Sequence, residues 1–343
     1  MTSYKRLHSK YISAVAACWL SCSLMAQDTA RLTRFIPSSF SNSFTAGRQP
    51  VLRIRSGDTV RTETIDAFGR DRNGIRRQGG GNPLTGPFYI ENALPGDVLV
   101  VTLNDVSLNR PYAYTSESFT SRSMPDSITE QFGKKTAIVK WKLDLHNKVG
   151  WPDSTSDTYD HLKNFKVPLQ PFLGCIGVAP ANKKNEILSF FQGPFGGNLD
   201  YNRTTTGTTI YLPVFHPGAL LYIGDGHAAQ GDGEIAGNAL ETSMDVEFTV
   251  KIIKKDILQL TYPRLEDSLY IITLGSAKDL GAALKIASAG LLSWLQKEFR
   301  LTLHEATQVM STTIEYTIVE IADPEVVVAA KIRKELLKNL KAF

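Results

Sequence analysis

Cysteine, charge imbalance and long apolar runs are all scarce in this 343-residue chain. Each shortage removes a class of protein. Of three cysteines, Cys18 and Cys22 fall in an N-terminal stretch that reads as removable, which leaves Cys175 alone. No internal disulfide can then form, so an exported chain must rely on its core, which a chain of about 300 residues can build. Cys175 lies in the apolar run from Pro171 to Pro180, which favours an inert buried thiol over a nucleophile. A G-x-S-x-G elbow, a Walker loop, a dinucleotide fingerprint after a strand and an H-E-x-x-H helix are all missing. Gly79, Gly80 and Gly81 are flexible but open no helix.

The N-terminus has the pattern of an export signal. Lys5, Arg6 and Lys10 precede an uncharged, largely apolar stretch over residues 11–25, and Ala26-Gln27 fits a cleavage point. That stretch is short for a membrane span. We expect residues 1–26 to be a signal peptide and residues 27–343 to form one domain, exported to the periplasm or secreted. Residues 1–26 carry three basic and no acidic side chains, so the net charge of +4 falls to +1 without them. Such a balance gives no electrostatic case for binding nucleic acid or, after cleavage, a membrane. Assembly as a homo-oligomer remains open.

Most of the chain reads as β. Residues 98–103, 208–212 and 219–223 are short β-branched or aromatic runs bounded by Gly and Pro. From Ser243 to Ile253, Met244, Val246, Phe248, Val250 and Ile252 alternate with Asp245, Glu247, Thr249 and Lys251, which predicts a strand with one buried face. A strand–turn–strand unit is echoed between Thr85–Gly96 and Thr206–Gly218. Residues 105–165 are polar and serine-rich and read as loops. Farther on, Leu280, Ala283, Leu284, Ala287, Leu291 and Leu295 follow helical spacing. Thr302 with Glu305 opens a second short helix, and residues 318–321 and 326–328 read as closing strands. The fold class expected is mainly β, a sandwich or barrel-like core with an α+β C-terminal part.

One segment concentrates chemistry: Gly224-Asp225-Gly226-His227-Ala228-Ala229-Gln230-Gly231-Asp232-Gly233-Glu234. Asp225 and His227 are two apart and share one side of an extended chain; Asp232 and Glu234 repeat the spacing. Carboxylates with an imidazole suit zinc or calcium, or an acid/base centre. The bland alternative is a glycine-rich turn with solvated carboxylates. Asn198 and Asp200 also share a side, with an Asx turn as the commoner use. Glu241 reads as the start of the long strand, on the face opposite Met244 and Val246; it and Asp66 are decoration if their faces meet solvent, and ligands or bases if they meet a cavity. His216 reads as a turn residue, His146 and His161 as parts of the irregular middle, and His304 as helix surface.

The 224–234 segment resembles the signature of the acetamidase/formamidase family. Supporting segments follow in the family's order: Asn82-Pro-Leu-Thr-Gly-Pro87, Pro95-Gly-Asp97, Ile176-Gly-Val-Ala-Pro180, Gly196-Gly-Asn-Leu-Asp200 and Ile272-Thr-Leu-Gly275. The likeness runs from about Val51 to Val328, and residues 105–165 diverge most. It implies hydrolysis of a short amide to carboxylate and ammonia, with a divalent metal, zinc or else calcium. It also implies a polar site of Asn198, Asp200, Asp225, His227, Glu234 and Glu241. On that basis Asp200, Asp225 and His227 are expected as ligands, with Glu241 a fourth ligand or a competing base. Glu234 is the expected general base. Asn198 and the backbone N–H groups near Gly231 and Gly233 are expected to hold the oxyanion. The alternative is an exported β-sandwich module that binds metal or ligand without turnover.

Overall fold

The structure, a computed structural model, describes residues 30–133, 137–153, 157–181 and 186–340. The expected signal peptide, residues 1–26, lies outside the described residues.

The alternation from Met244 to Ile252 does what its chemistry dictates. Met244–Ile253 forms a strand with Met244, Val246, Phe248 and Val250 buried. It pairs with Val98–Leu108 on one side and Thr59–Glu63 on the other. These strands belong to a nine-stranded sheet, counted among the described residues, which continues through Thr209–Pro213, Arg264–Glu266, Tyr270–Ala277 and Val326–Arg333 to Glu315–Glu320 at its edge. An eleven-stranded sheet lies against it, with Leu221–His227 between Phe172–Val178 and Glu241–Thr242. One apolar core draws on both sheets, including Val101, Ile210 and Phe248 from the first and Leu173, Ile176 and Ile223 from the second. Phe88 of the second sheet meets Phe248 of the first edge-on at 5.2 Å. Fully burying a side chain of this size contributes about 1.5–3 kcal/mol. The architecture is thus the expected β-sandwich.

The C-terminal part is α+β. The helix Leu280–Glu298, capped by Asp279, lays Ala287, Leu291, Trp294 and Leu295 on Ile271, Ala330 and Ile332. Leu280 and Leu284, placed on the buried face by spacing alone, are exposed instead. Thr302 and Glu305 form the expected capping box of Leu303–Thr313.

Three readings need correction. Residues 105–165 are not mainly loops: Tyr112–Ser116, Ile138–Asp144 and Val149–Pro152 extend the second sheet beyond Glu241–Thr242. They looked irregular because Ile138–Asp144 buries only Leu143 and carries lysines on both sides of Trp141. Glu241 does not begin the long strand. Glu241–Thr242 belongs to the second sheet and Met244–Ile253 to the first, so the chain changes sheets at Ser243. The apparent echo is not a structural repeat, since Leu84–Ile90 lies in the second sheet and Thr209–Pro213 in the first. No helix among the described residues is long and apolar enough to cross a membrane.

Candidate functional site

The 224–234 segment divides into two parts. Leu221–His227 is a fully buried strand, so Asp225 and His227 project from the sheet itself rather than from a loop after it. Register sets Glu241 directly beside His227 and Phe172 on the other side, where the two rings meet edge-on at 4.9 Å. Opposite Asp225 stands Gly174. A Cβ there would come within 2.5 Å of Asp200 Oδ1 and 2.7 Å of Asp225 Oδ2, so only glycine leaves the centre of the cluster open. Asp200, Asp225 and Glu234 all adopt left-handed backbone (φ 46°, 57° and 47°), and strain of this kind collects where side chains must be aimed.

The geometry converges on the imidazole. His227 Nε2 lies 3.3 Å from Glu241 Oε2, 3.5 Å from Asp225 Oδ2 and 3.9 Å from Asp200 Oδ1. Oxygens of Asp200 and Glu234 also approach a nitrogen of His227 closely enough for the three to share one ion. Gln230 fixes the ring's tautomer. Its Nε2 donates to the Asp200 carbonyl at 2.7 Å, which turns its Oε1 toward His227 Nδ1 at 2.8 Å. An amide oxygen only accepts, so Nδ1 must donate, and a neutral ring then aims the Nε2 lone pair at the carboxylates.

Lone pair and carboxylates repel unless something positive lies between them. Asp200 Oδ1, Asp225 Oδ1 and Glu241 Oε2 are buried without a hydrogen-bond donor. Burial pushes Asp200 and Glu234 well above the ordinary carboxylate range, reinforced by their acidic neighbours. Burial also lifts Glu241 to about 7, against the pull of His227. The imidazole, which burial alone would lower, is held well above its usual value by Glu241 and Asp225. Together these groups call for a proton or a cation. Two ligands of a tetrahedral ion at about 2.1 Å lie roughly 3.4 Å apart, close to the distances found around Nε2. The donor set therefore fits a small divalent metal.

A second carboxylate group adjoins the first. Glu320 and Asp323 come within a ligand's reach of Asp200. Burial, then the charge of Asp323, raises Glu320 to about 8; Asp323 rises to about 7, chiefly through burial. Asn198 ties the two groups together, its Nδ2 donating to Asp200 Oδ2 and to Asp323 Oδ2 at 2.8 Å. Its Oδ1 accepts from Cys175 Sγ at 2.7 Å and from Asn82 Nδ2 at 3.2 Å. Both amide donors are thus committed, and Asn198 has none left for an oxyanion. Gly233 is likewise committed, since its N–H donates to the Val319 carbonyl at 3.1 Å and its carbonyl accepts from Ile321 at 3.0 Å.

Cys175 is buried, as its apolar neighbours imply, and its thiol is held neutral by burial and by Asp225. Its sulfur nevertheless faces the polar cluster, 3.8 Å from Asp225 Oδ2. Asp232 is exposed and lies outside the cluster. Asp66 is elsewhere: fully buried, it accepts from Arg110 Nη2 at 2.5 Å and from the Arg70 backbone at 2.8 Å. His216 Nε2 contacts the Pro180 carbonyl at 2.5 Å near its turn, and His146, His161 and His304 are exposed. Sequence reasoning missed Asn82, Gln230, Glu320 and Asp323. The first two stand inside quoted motifs; the last two carried no local signal.

The model of the Acetamidase/Formamidase family matches residues 36–188 and 194–277. A Schizosaccharomyces pombe protein provisionally named a formamidase is 27% identical, over 60% of this chain and 62% of its own length. This chain thus spans less than two thirds of that relative. The crystal structure of an acetamidase from Bacillus halodurans superposes with a TM-score of 0.74 at 27% identity, covering 90% of this chain and all of that one. That of an acetamidase from Yersinia enterocolitica gives 0.75 at 28% identity, covering 91% and 94%.

Proposed function

The chain belongs to the acetamidase/formamidase family, and from that membership we propose that it is a metal-assisted amidase that cleaves the C–N bond of primary amides to carboxylate and ammonia. The observation that carries this reading is the His227 Nε2 lone pair facing Glu241, Asp225 and Asp200, with buried carboxylate oxygens that lack any donor. His227, Asp225, Glu241 and Asp200 would hold a divalent cation. Their mixed nitrogen and oxygen set and close spacing support zinc over calcium, which takes more oxygens at longer range. When bound, such a cation polarises a carbonyl and makes water more acidic.

The chain's own groups supply the rest. Glu234 borders both the cluster and an open cleft, which supports it as the base. It removes a proton from water as the water oxygen bonds to the amide carbon. It returns that proton to nitrogen as the C–N bond breaks. Gln230 holds the imidazole tautomer, and Asn198 orients Asp200 rather than binding the oxyanion. The basic start and short apolar stretch of residues 1–26 support export with cleavage of that segment. The near-neutral remainder supports a small-molecule partner over nucleic acid. The edge strand Glu315–Glu320, with Tyr316 and Ile318 exposed, supports self-association.

Metal analysis of protein purified without added metal, coupled to ammonia release, tests the reading. The wild type is expected to carry bound zinc and to release ammonia. His227→Ala should lose both, whereas Glu234→Gln should keep the metal and lose turnover by about 10²–10⁴-fold. Full activity in Glu234→Gln would overturn the base assignment, and metal without any amide turnover would leave a binding module.

A further inference from the structure

A cleft of about 400 Å³ opens beside Glu234 and Gln230. Trp141, Phe165, Val167, Ile235, Ala239 and Leu240 give it a largely apolar wall, with Thr115, Gln170, Asn202 and Asn238 also on its lining. Trp141 and Phe165 meet edge-on at 6.3 Å, and Val167 and Leu240 join a satellite apolar cluster behind them. Trp141 lies on the strand Ile138–Asp144, and Phe165 just before the strand Val167–Pro168.

The size is out of proportion to formamide or acetamide. At roughly 30 Å³ per heavy atom, the share of one water molecule in the liquid, acetamide takes roughly 120 Å³. Aromatic walls also have nothing to bind in such small polar molecules. An amide with a phenyl-sized group, at roughly 300 Å³ on the same scale, fits the space and the chemistry. If ammonia is the leaving group, only the acyl side can carry that bulk.

We propose that the Trp141–Phe165 cleft is an acyl-group subsite, and that the substrates are primary amides with an apolar or aryl side chain. This rests on the amidase reading above. The reacting carbonyl lies at Glu234, and the apolar group extends along the cleft toward Trp141. Only the side chain's fit is new; the bonds made and broken are those of amide hydrolysis.

The test compares formamide, acetamide, butyramide and phenylacetamide in the metal-bound wild type, Trp141→Ala and Phe165→Ala. Phe165 is 47% exposed, so its removal leaves the core intact. Phenylacetamide is expected to exceed acetamide in kcat/KM by at least about tenfold, and each variant should cut that ratio by at least about fivefold. Binding of phenylacetamide, read by calorimetry, should weaken in parallel. Equal kcat/KM for acetamide and phenylacetamide, or an unchanged ratio in both variants, would overturn the subsite and leave the amidase reading standing. Phenylacetamide that binds through Trp141 without hydrolysis of any amide would sink the amidase reading and keep the subsite. Neither binding nor hydrolysis would end both.

Discussion

Two buried polar centres lie within the second sheet's reach, and they are built on opposite principles. In one, Asp66 meets Arg110, both side chains fully buried. Arg110 spends its remaining donors on the carbonyls of Asp71, Tyr112 and Glu241 and on Thr242 Oγ1. Each charge has a partner. In the other, Asp200, Asp225, Glu234 and Glu241 crowd one imidazole, and several oxygens have no donor. A closed pair supports the strand that carries Glu241. The open cluster works against the fold, and a proton or a cation would relieve it. The difference separates paired acids from unpaired ones, which burial cannot do, because both groups are buried.

The largest effect should come from breaking the closed pair. Arg110→Met leaves Asp66 buried and uncompensated, with an expected loss of about 3–5 kcal/mol in urea unfolding. A variant as stable as the wild type would erase the contrast. Gly174→Ala sharpens it from the other side. The new methyl would press on Asp200 and Asp225, so zinc affinity, read by competition with a chromophoric chelator, should fall about 10–100-fold. Unchanged affinity would mean that the cluster does not close on an ion at this point.

The smallest effect belongs to Asp97, an acid with a half-exposed partner. Burial would raise its pKa, but Lys254 at 2.8 Å and the backbone N–H groups of Leu94 and Lys255 hold it below 3.8. Its contribution is therefore present above pH 3.8 and lost as pH falls through the lower folded value. The expected loss is at most about 1 kcal/mol, seen as a urea midpoint that falls less in acid for Asp97→Asn than for the wild type.

What the sequence made legible depended on distance along the chain. Asp225 and His227 are neighbours on one strand, so a two-residue spacing exposed them. The capping box at Thr302 and the alternation from Met244 to Ile252 are equally local. Asn82, by contrast, reaches Asp225 across 143 residues, and Asp323 reaches Asn198 across 125. Such contacts come from topology, which no window of residues encodes. The strands near Trp141 were hidden for a different reason. Both faces of Ile138–Asp144 are partly wet, and polar side chains then mask the period of two. Asn198 was seen, but its bonds to Asp200 and Asp323 were not, because an amide's donors can be counted only once their acceptors are known.

The bridge from Gly233 to the Val319–Ile321 backbone has a consequence for the order of events during synthesis. Every motif residue up to Glu241 is translated well before residues 319–323. The backbone bridge at Gly233 nevertheless forms only when that late segment docks, and Asp323 arrives with it. A chain interrupted near residue 310 would display the full signature and still lack a finished centre. Closure of the cluster thus waits on a segment among the last to emerge.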